Sequence, residues 1–226
     1  MPARLRPTAP IAADAVLVGD PGRALTLAQA LLEKPKMSNH ARGLWGYSGL
    51  TRAGHELSIQ ATGMGGPSAA LVLADLAELG VRRAIRVGTC IAIEPESAPG
   101  DLLTVFEARL WSGGGTGAAV LPNRSLTARL RNELGQATRP AVVTSLDTLH
   151  RGDRTELPPY GEQVDAADMQ TAALFSAAAT LRLALAAVLI VAESAAGDQA
   201  DDERLKSAAE LGGAAAVAAL QSRSNP

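Results

Sequence analysis

Three glycine-rich segments carry the residue types best suited to hold a phosphate-like anion. They are GDPGR at residues 19–23, GMGGP at residues 63–67 and RVGTC at residues 86–90. Glycine lets backbone N–H groups approach an anion closely, and a helix that starts after the turn adds positive potential. Arg23 and Arg86 add guanidinium groups, which can grip a phosphate through two parallel hydrogen bonds. Each segment alone also fits an ordinary tight turn, so the prediction of an anion site rests on all three.

The glycine segments are spaced along a pattern of alternating strands and helices. Apolar runs at residues 15–18 and 184–192 predict buried strands, and the spacing of leucine and alanine at residues 24–32 and 166–181 predicts helices. No repeat or linker divides the chain, so we expect a single α/β domain over residues 1–226. In such folds ligands bind at the carboxyl ends of strands, and each glycine segment is predicted to be a turn at such an end.

Composition argues against several other classes of function. Cys90 is the single cysteine, which rules out an internal disulfide and favours the reducing cytoplasm. The 21 basic and 23 acidic residues form no basic stretch, so we expect no nucleic-acid partner. No apolar run reaches the roughly 18 residues of a membrane span, and the N-terminus lacks the apolar core of a signal peptide. The P-loop and GxGxxG motifs are absent, so ATP and NAD have no support.

Longer stretches of the sequence resemble the nucleoside phosphorylase family, which includes the hexameric purine nucleoside phosphorylases and uridine phosphorylase. The matching text is AVLVGDPGRA, NHARGLWGYSGLTRAG and ATGMGGPSAALVLADLAELGVRRAIRVGTC, followed by weaker matches at GDLLTV, TSLDTLH, ADMQTAALFSAA and DERLKSAA. The resemblance implies a mixed, partly barrel-like β-sheet flanked by helices. It also implies a pentosyltransferase that cleaves the N-glycosidic bond of a nucleoside with inorganic phosphate, giving free base and ribose 1-phosphate, without a cofactor.

The resemblance places a phosphate site on five residues. Gly19 would offer its backbone N–H, Arg23 and Arg86 would clamp the anion, and Thr89 would donate its hydroxyl, as it does in uridine-type members. Arg42 matches the arginine that family members lend to the phosphate of a neighbouring subunit. We therefore expect a homo-oligomer, a hexamer or dimer, whose sites are shared between subunits.

The sugar side of the family pattern is less complete. Met169 matches the methionine that packs on the ribose, whereas Gln170 stands where the family has the glutamate that accepts from both ribose hydroxyls. Glutamine has one acceptor oxygen and no charge, so we expect weaker ribose binding. The N-terminal histidine that reaches a neighbour's ribose has no counterpart, and Pro10 stands in its place.

The base side departs further from the family pattern. The expected base pocket comprises Cys90, Ile91, Leu149 and His150. Ile91 stands where the family has glycine, and Leu149 and His150 stand where it has aromatic residues. Arg204 matches an arginine that purine-type members bring towards the base when a helix closes, so with Arg86 it is predicted to be catalytic.

Purine-type members also carry a Ser-Asp pair after the last core strand, and the Asp protonates the base. Here Ser194 is followed by Ala195, and the nearby acid, Glu193, comes one position earlier. Adjacent residues of a strand point to opposite faces, so Glu193 is predicted to be a poor substitute. Together with Thr89 and the SLDT text at residues 145–148, this slightly favours a uridine-type substrate. Candidates for reading uracil are Arg151, Arg154 and Gln163.

Three functions remain open on these residues. A nucleoside phosphorylase explains the three arginines, Arg23, Arg42 and Arg86. A nucleosidase that uses water would not need them. A non-catalytic or substrate-shifted paralogue would explain four departures from the family pattern, which are Pro10, Ile91, Gln170 and Ala195.

Overall fold

Ten strands form one mixed sheet in the computed structural model, which describes residues 4–111, 116–149, 157 and 163–222. The strands are β1 (Asp14–Val18), β2 (Glu33–Asn39), β3 (Gly46–Leu50), β4 (Glu56–Ala61), β5 (Arg83–Ala92), β6 (Leu102–Trp111), β7 (Thr116–Val120), β8 (Thr138–Ser145), β9 (Ala166–Asp168) and β10 (Ala184–Glu193). The helices of the described residues are α1 (Pro21–Leu31), α2 (Gly65–Glu78), α3 (Arg124–Leu134), α4 (Thr171–Leu181) and α5 (Asp202–Gln221).

Five of the strands close into a ring. Around the ring, β5 pairs with β10, β10 with β6, β6 with β8, β8 with β9, and β9 with β5 again. The remaining strands extend the sheet outward, with β1, β4, β3 and β2 following β5 and with β7 pairing with β6. This confirms the expected mixed, partly barrel-like α/β sheet flanked by helices.

The helices cover the sheet in two layers, each with its own apolar core. Helices α2 and α4 pack against one face through residues such as Leu73, Leu76 and Phe175. Helices α1, α3 and α5 pack against the other face through residues such as Leu27 and Leu130. Among the described residues, no helix is both long and apolar enough to span a bilayer.

Local sequence signals explain where two of these helices begin. Pro21 stands at the start of α1, where its missing N–H costs nothing, and the Asp20 side chain accepts a hydrogen bond of 2.7 Å from the Arg23 N–H. The Asp201 side chain caps α5 in the same way, at 2.7 Å from the Arg204 N–H. The Asp20 cap holds Gly19 and Asp20 in a fixed turn directly after β1.

The prediction that residues 86–90 form a turn is wrong. Strand β5 continues from Arg83 to Ala92, because it pairs with β1 only as far as Arg86 and with β10 and β9 beyond it. The strand therefore never ends at Gly88, and Arg86 and Thr89 project from a strand rather than from a loop. The pairing that replaces β1 lies far away in sequence, so local pattern could not reveal it.

Other differences have similar causes. Strand β2 was not predicted because it is a mostly exposed edge strand with a polar sequence, EKPKMSN. Residues 166–168 were predicted to begin a helix but form the short strand β9, and α4 begins only at Thr171. An alanine-rich segment fits either structure, and here the long-range pairing with β5 and β8 decides.

Parallel pairing brings the predicted anion-binding residues to one edge of the sheet. Val18, the last residue of β1, lies opposite Ala61, the last residue of β4. Leu17 of β1 lies opposite Arg86 of β5. The turns that start at Gly19 and Thr62 therefore flank Arg86, which positions them around a common space.

A close approach of α2 to α4 brings the start of α4 against the Gly63 turn. A Cβ atom at Gly66, in the first turn of α2, would lie 2.9 Å from the Ala173 Cβ and 3.6 Å from the Met169 carbonyl oxygen. That separation is shorter than real Cβ contacts, so the two helices can pack this closely only if position 66 has no side chain.

We expect Gly66→Ala to lower the free energy of unfolding by about 1–3 kcal/mol, because the added methyl overpacks the interface between α2 and α4. Urea denaturation measures this. Gly212→Ala in α5 is the matched control, since its Cβ would meet Val87 at an ordinary 3.4 Å. The control should be neutral or stabilising by up to about 1 kcal/mol, because alanine favours helix. Equal losses in both variants would contradict the packing argument.

Candidate active site

A cavity of about 670 Å³ opens at the edge where β1 and β4 end. Its size is that of a small-molecule site. It brings together ten of the residues predicted from the sequence, which are Gly19, Arg23, Arg42, Arg86, Thr89, Cys90, Ile91, Leu149, Met169 and Gln170. His150, Arg151 and Arg154 lie outside the described residues.

Arg86 is the charged centre of the cavity wall. It is only 4% exposed, and its guanidinium donates to the Gln170 Oε1 at 2.6 Å, the Asp168 Oδ2 at 3.0 Å and the Thr171 Oγ1 at 3.2 Å. A guanidinium has five N–H donors, so two remain for a ligand. The contacts therefore hold Arg86 in place while leaving it able to bind an anion.

Asp168 is the functional residue that the sequence analysis missed. It is 1% exposed, and it accepts hydrogen bonds from Arg86, from the Ser145 hydroxyl at 2.5 Å and from the Thr171 hydroxyl at 2.6 Å. A buried arginine needs a compensating charge, and Asp168 supplies it. The available signal was Asp168 itself, which directly precedes Met169 and Gln170 in the segment ADMQTAALFSAA.

The absence of a side chain at Gly88 makes room for this arrangement. A Cβ atom there would lie 2.5 Å from the Arg86 Cζ and 2.7 Å from the Leu189 Cδ2. The Arg86 guanidinium thus lies over its own strand, at the position of Gly88 two residues later. The glycine of the RVGTC segment therefore serves side-chain packing in a strand, and not a turn.

Arg23 provides a second cation at the same end of the cavity. Burial lowers the pKa of its guanidinium; the nearby Asp20 carboxylate opposes that shift and the Arg86 charge adds to it. Among the described residues, the Arg23 guanidinium has no hydrogen-bond partner. Two neighbouring cations, one of them lacking such a partner, form a site that an anion would stabilise.

Gly19, Thr89 and Arg42 complete this end of the cavity. Gly19 lies directly between β1 and α1, and the partly exposed Thr89 follows Gly88 on β5. Arg42 lies in a short 3₁₀ turn, is exposed, and has a left-handed backbone with φ 58°. It lines the cavity of its own chain, whereas the resemblance assigns its side chain to a neighbouring subunit.

The other end of the cavity is apolar except for one acid. Ile91 and Leu149 contribute aliphatic surface, and the Cys90 thiol faces the Ile190 carbonyl oxygen at 3.6 Å. Burial, together with the Asp168 charge, raises the pKa of Cys90 well above its ordinary value. The thiol is therefore protonated at neutral pH and serves as a packing residue.

The acid at the apolar end is Glu193, which corrects the prediction from strand alternation. Strand β10 has a bulge: Val191 lies opposite Cys90, and Glu193, two residues later, lies opposite Ile91. The extra residue breaks the alternation, so Ala192 and Glu193 both line the cavity. Glu193 is fully buried and is one of the residues that line the cavity, as are Ile91 and Leu205.

Arg204 lies outside the cavity in this structure. It is exposed, its side-chain carbons pack over Gly100, and its Nη1 lies 3.5 Å from the Pro99 carbonyl oxygen. The next residue on α5, Leu205, lines the cavity instead. A helix turns about 100° per residue, so these two side chains leave α5 in different directions. The structure therefore does not group Arg204 with the other predicted catalytic residue, Arg86.

Two further residues named from the sequence lie away from this cavity. Pro10 is exposed and lines a separate cavity of about 590 Å³ beside β2 and β3. Gln163 is exposed and has a left-handed backbone with φ 56°. Neither residue is among those that line the candidate site. In the part of the chain that the structure describes, no group of three or more His, Cys, Asp or Glu side chains is placed to hold a metal ion.

Comparison with known proteins identifies the family of this chain. The sequence profile of the phosphorylase superfamily matches residues 14–222. A protein of Alkaliphilus metalliredigens named purine nucleoside phosphorylase DeoD-type is 32% identical, over 86% of this chain and 88% of its own length. Proteins of the same name from Limosilactobacillus reuteri and Oceanobacillus iheyensis are 31% and 32% identical, over 83% and 81% of this chain. The match confirms the resemblance seen in the sequence and the prediction that the protein is an enzyme: the chain belongs to the nucleoside phosphorylase family within the phosphorylase superfamily.

Proposed function

We propose that this enzyme cleaves purine nucleosides with inorganic phosphate and releases free purine and ribose 1-phosphate. The observation that carries the proposal is that one cavity is lined by Arg23 and Arg86 and also by the buried Glu193, which pairs with Ile91, five residues beyond Arg86 on β5. The purine assignment also draws on the names of the three relatives described above. The earlier preference for a uridine-type substrate has no support from these relatives.

The cationic end would bind the attacking phosphate. Arg86 has two N–H donors left and Arg23 has its whole guanidinium, while Gly19 and Thr89 offer a backbone N–H and a hydroxyl. Holding the dianion against the anomeric carbon converts a collision between two solutes into a reaction between positioned groups. The same cations compensate the phosphate charge while positive charge develops on the sugar.

The acidic end would stabilise the departing base. As the glycosidic bond breaks, the base takes the bonding electrons and becomes more basic, so a carboxylic acid beside it can donate a proton. The bulge in β10 and the presence of Glu193 in the cavity lining support this role. A purine presents a ring nitrogen that can accept such a proton, whereas a uracil that leaves through N1 is stabilised through its carbonyl oxygens. This difference favours a purine substrate.

The alternatives account for fewer of these contacts. A nucleosidase would have no use for two guanidiniums in one buried corner. A non-catalytic paralogue was suggested by four departures from the family pattern, and the absence of an acid after Ser194 is offset by Glu193. Pro10 lies in a different cavity, so only Ile91 and Gln170 alter the candidate site itself.

We infer that the enzyme works as a homo-oligomer. Arg42 is exposed at the cavity rim, and the neighbouring Trp45 and Met64 remain 37% and 87% exposed. Apolar side chains of this size around a site are typical of surfaces that another subunit covers. A second copy would bring its Arg42 to this rim, as the family resemblance implies. The single free cysteine, Cys90, fits the expected cytoplasmic location.

Release of free base from inosine, followed with and without phosphate, tests the proposed reaction. Arg23→Ala should lower kcat/KM by about 10²-fold, mainly through the KM for phosphate, because one anion contact is lost. It should leave the melting temperature without phosphate unchanged or higher, because a partly buried cation beside Arg86 disappears. Arg52→Ala, at an exposed arginine, is the control. Equal release of base without phosphate would instead establish a nucleosidase.

Glu193→Gln separates protonation of the base from the other steps. We expect it to lower kcat for inosine by about 10²–10⁴-fold, the usual contribution of a general acid. Turnover of 7-methylinosine should change little, because its base already carries the positive charge that protonation would supply. Steady-state kinetics on both substrates gives the comparison. A parallel loss on both substrates would show that Glu193 is structural and not the acid.

A further inference from the structure

The amide of Gln170 is committed to contacts within the protein. The Oε1 atom accepts from the Arg86 Nη1 at 2.6 Å and lies 3.1 Å from the Thr62 hydroxyl. The Nε2 atom donates to the Gly63 carbonyl oxygen at 2.6 Å. The side chain is 4% exposed, so these contacts are shielded from water and fix its orientation.

The groups around Gln170 determine the orientation of its amide. Arg86 only donates hydrogen bonds and the Gly63 carbonyl only accepts them, so the oxygen must face Arg86 and the nitrogen must face Gly63. A glutamate in the same position would bring a carboxylate oxygen against the Gly63 carbonyl oxygen. The local structure thus fits glutamine and would repel glutamate.

This arrangement leaves Gln170 little capacity for a substrate. An amide oxygen accepts two hydrogen bonds, and Arg86 and Thr62 face the two acceptor positions of the Gln170 Oε1 atom. The Thr62 hydroxyl also lies 3.0 Å from the Val18 carbonyl oxygen, so its one proton is shared between these two acceptors. One N–H of the Nε2 atom remains. Gln170 therefore cannot accept hydrogen bonds from a pair of sugar hydroxyls while it keeps these contacts.

We propose that Gln170 is a positioning residue that holds Arg86 and the Gly63 turn, and that it does not read the sugar hydroxyls. This inference rests on the proposed function and extends its substrate class. The site accepts purine nucleosides that lack the 2′- and 3′-hydroxyl groups, in addition to ribonucleosides. Its anion end depends on Gln170, because loss of the amide frees the Arg86 Nη1 and removes the one hydrogen bond from Gln170 to the Gly63 turn.

The ratio of kcat/KM for inosine to that for 2′,3′-dideoxyinosine tests this inference, because the two substrates differ only in the hydroxyls. We expect Gln170→Ala to lower both values by the same factor and to raise the KM for phosphate, leaving the ratio within about threefold of wild type. Thr62→Val should have the same effect in weaker form. Gln170→Glu should raise the ratio by about tenfold or more, since its carboxylate leaves Gly63 and becomes free to accept from hydroxyls.

Each result decides the matter. A selective loss of inosine turnover in Gln170→Ala, with the ratio falling by tenfold or more, would show that the wild-type amide binds the sugar and would overturn the inference. The proposed function would survive that outcome. If wild type cleaves neither nucleoside with phosphate, the proposed function fails, and the inference about substrates fails with it. The shift in melting temperature on adding phosphate checks, without turnover, that Gln170→Ala has weakened the anion end.

Discussion

The buried ion pair between Arg86 and Asp168 is the interaction on which the rest of the site depends. A guanidinium on a central strand is tolerable only with a compensating carboxylate, and Asp168 is itself held by Ser145 and Thr171. The pair links β5, β8, β9 and the start of α4. The segments that carry the chemistry are therefore joined by one charge pair, and its loss would leave an uncompensated charge in the core.

The two ends of the cavity are constructed differently. At the cationic end, the Gln170 side chain joins the Arg86 guanidinium to the Gly63 carbonyl oxygen through two hydrogen bonds of 2.6 Å, and Gly88 keeps the space that Arg86 occupies. At the apolar end, Ile91, Leu149 and Leu205 line the cavity together with Glu193. Fixed hydrogen bonds suit an anion whose shape never varies, whereas an apolar wall can accommodate different bases. Ile91, one departure from the family pattern, lies on the apolar wall, whereas Gln170, another, lies against Arg86.

The sequence indicated the short-range features of the cavity and missed those that depend on distant partners, and the reason is physical. The turn after β1 and the arginines at positions 23 and 86 are encoded by neighbouring residues, so a turn, a cap and a charge could be recognised there. Asp168 depends on a partner 82 positions away, and the continuation of β5 depends on β10. Glu193 was assigned to the wrong face because a bulge adds one residue to β10, and strand alternation assumes that no such residue exists. The position of Arg204 depends on the rotation of α5, which the helix pattern did not fix.

The closed ring of strands has a mechanical consequence for catalysis. Strands β5 and β9, which carry Arg86 and Asp168, are each hydrogen-bonded on both sides within the ring. Neither strand can slide or tilt without breaking the hydrogen bonds to two neighbouring strands at once, so the ring fixes the spacing between these two charges. The 3₁₀ turn with Arg42 joins β2 and β3 outside this ring, so the ring does not hold that part of the cavity lining in place. The spacing between Arg86 and Asp168 is thus fixed by the ring, whereas the exposed rim of the cavity is free of that constraint.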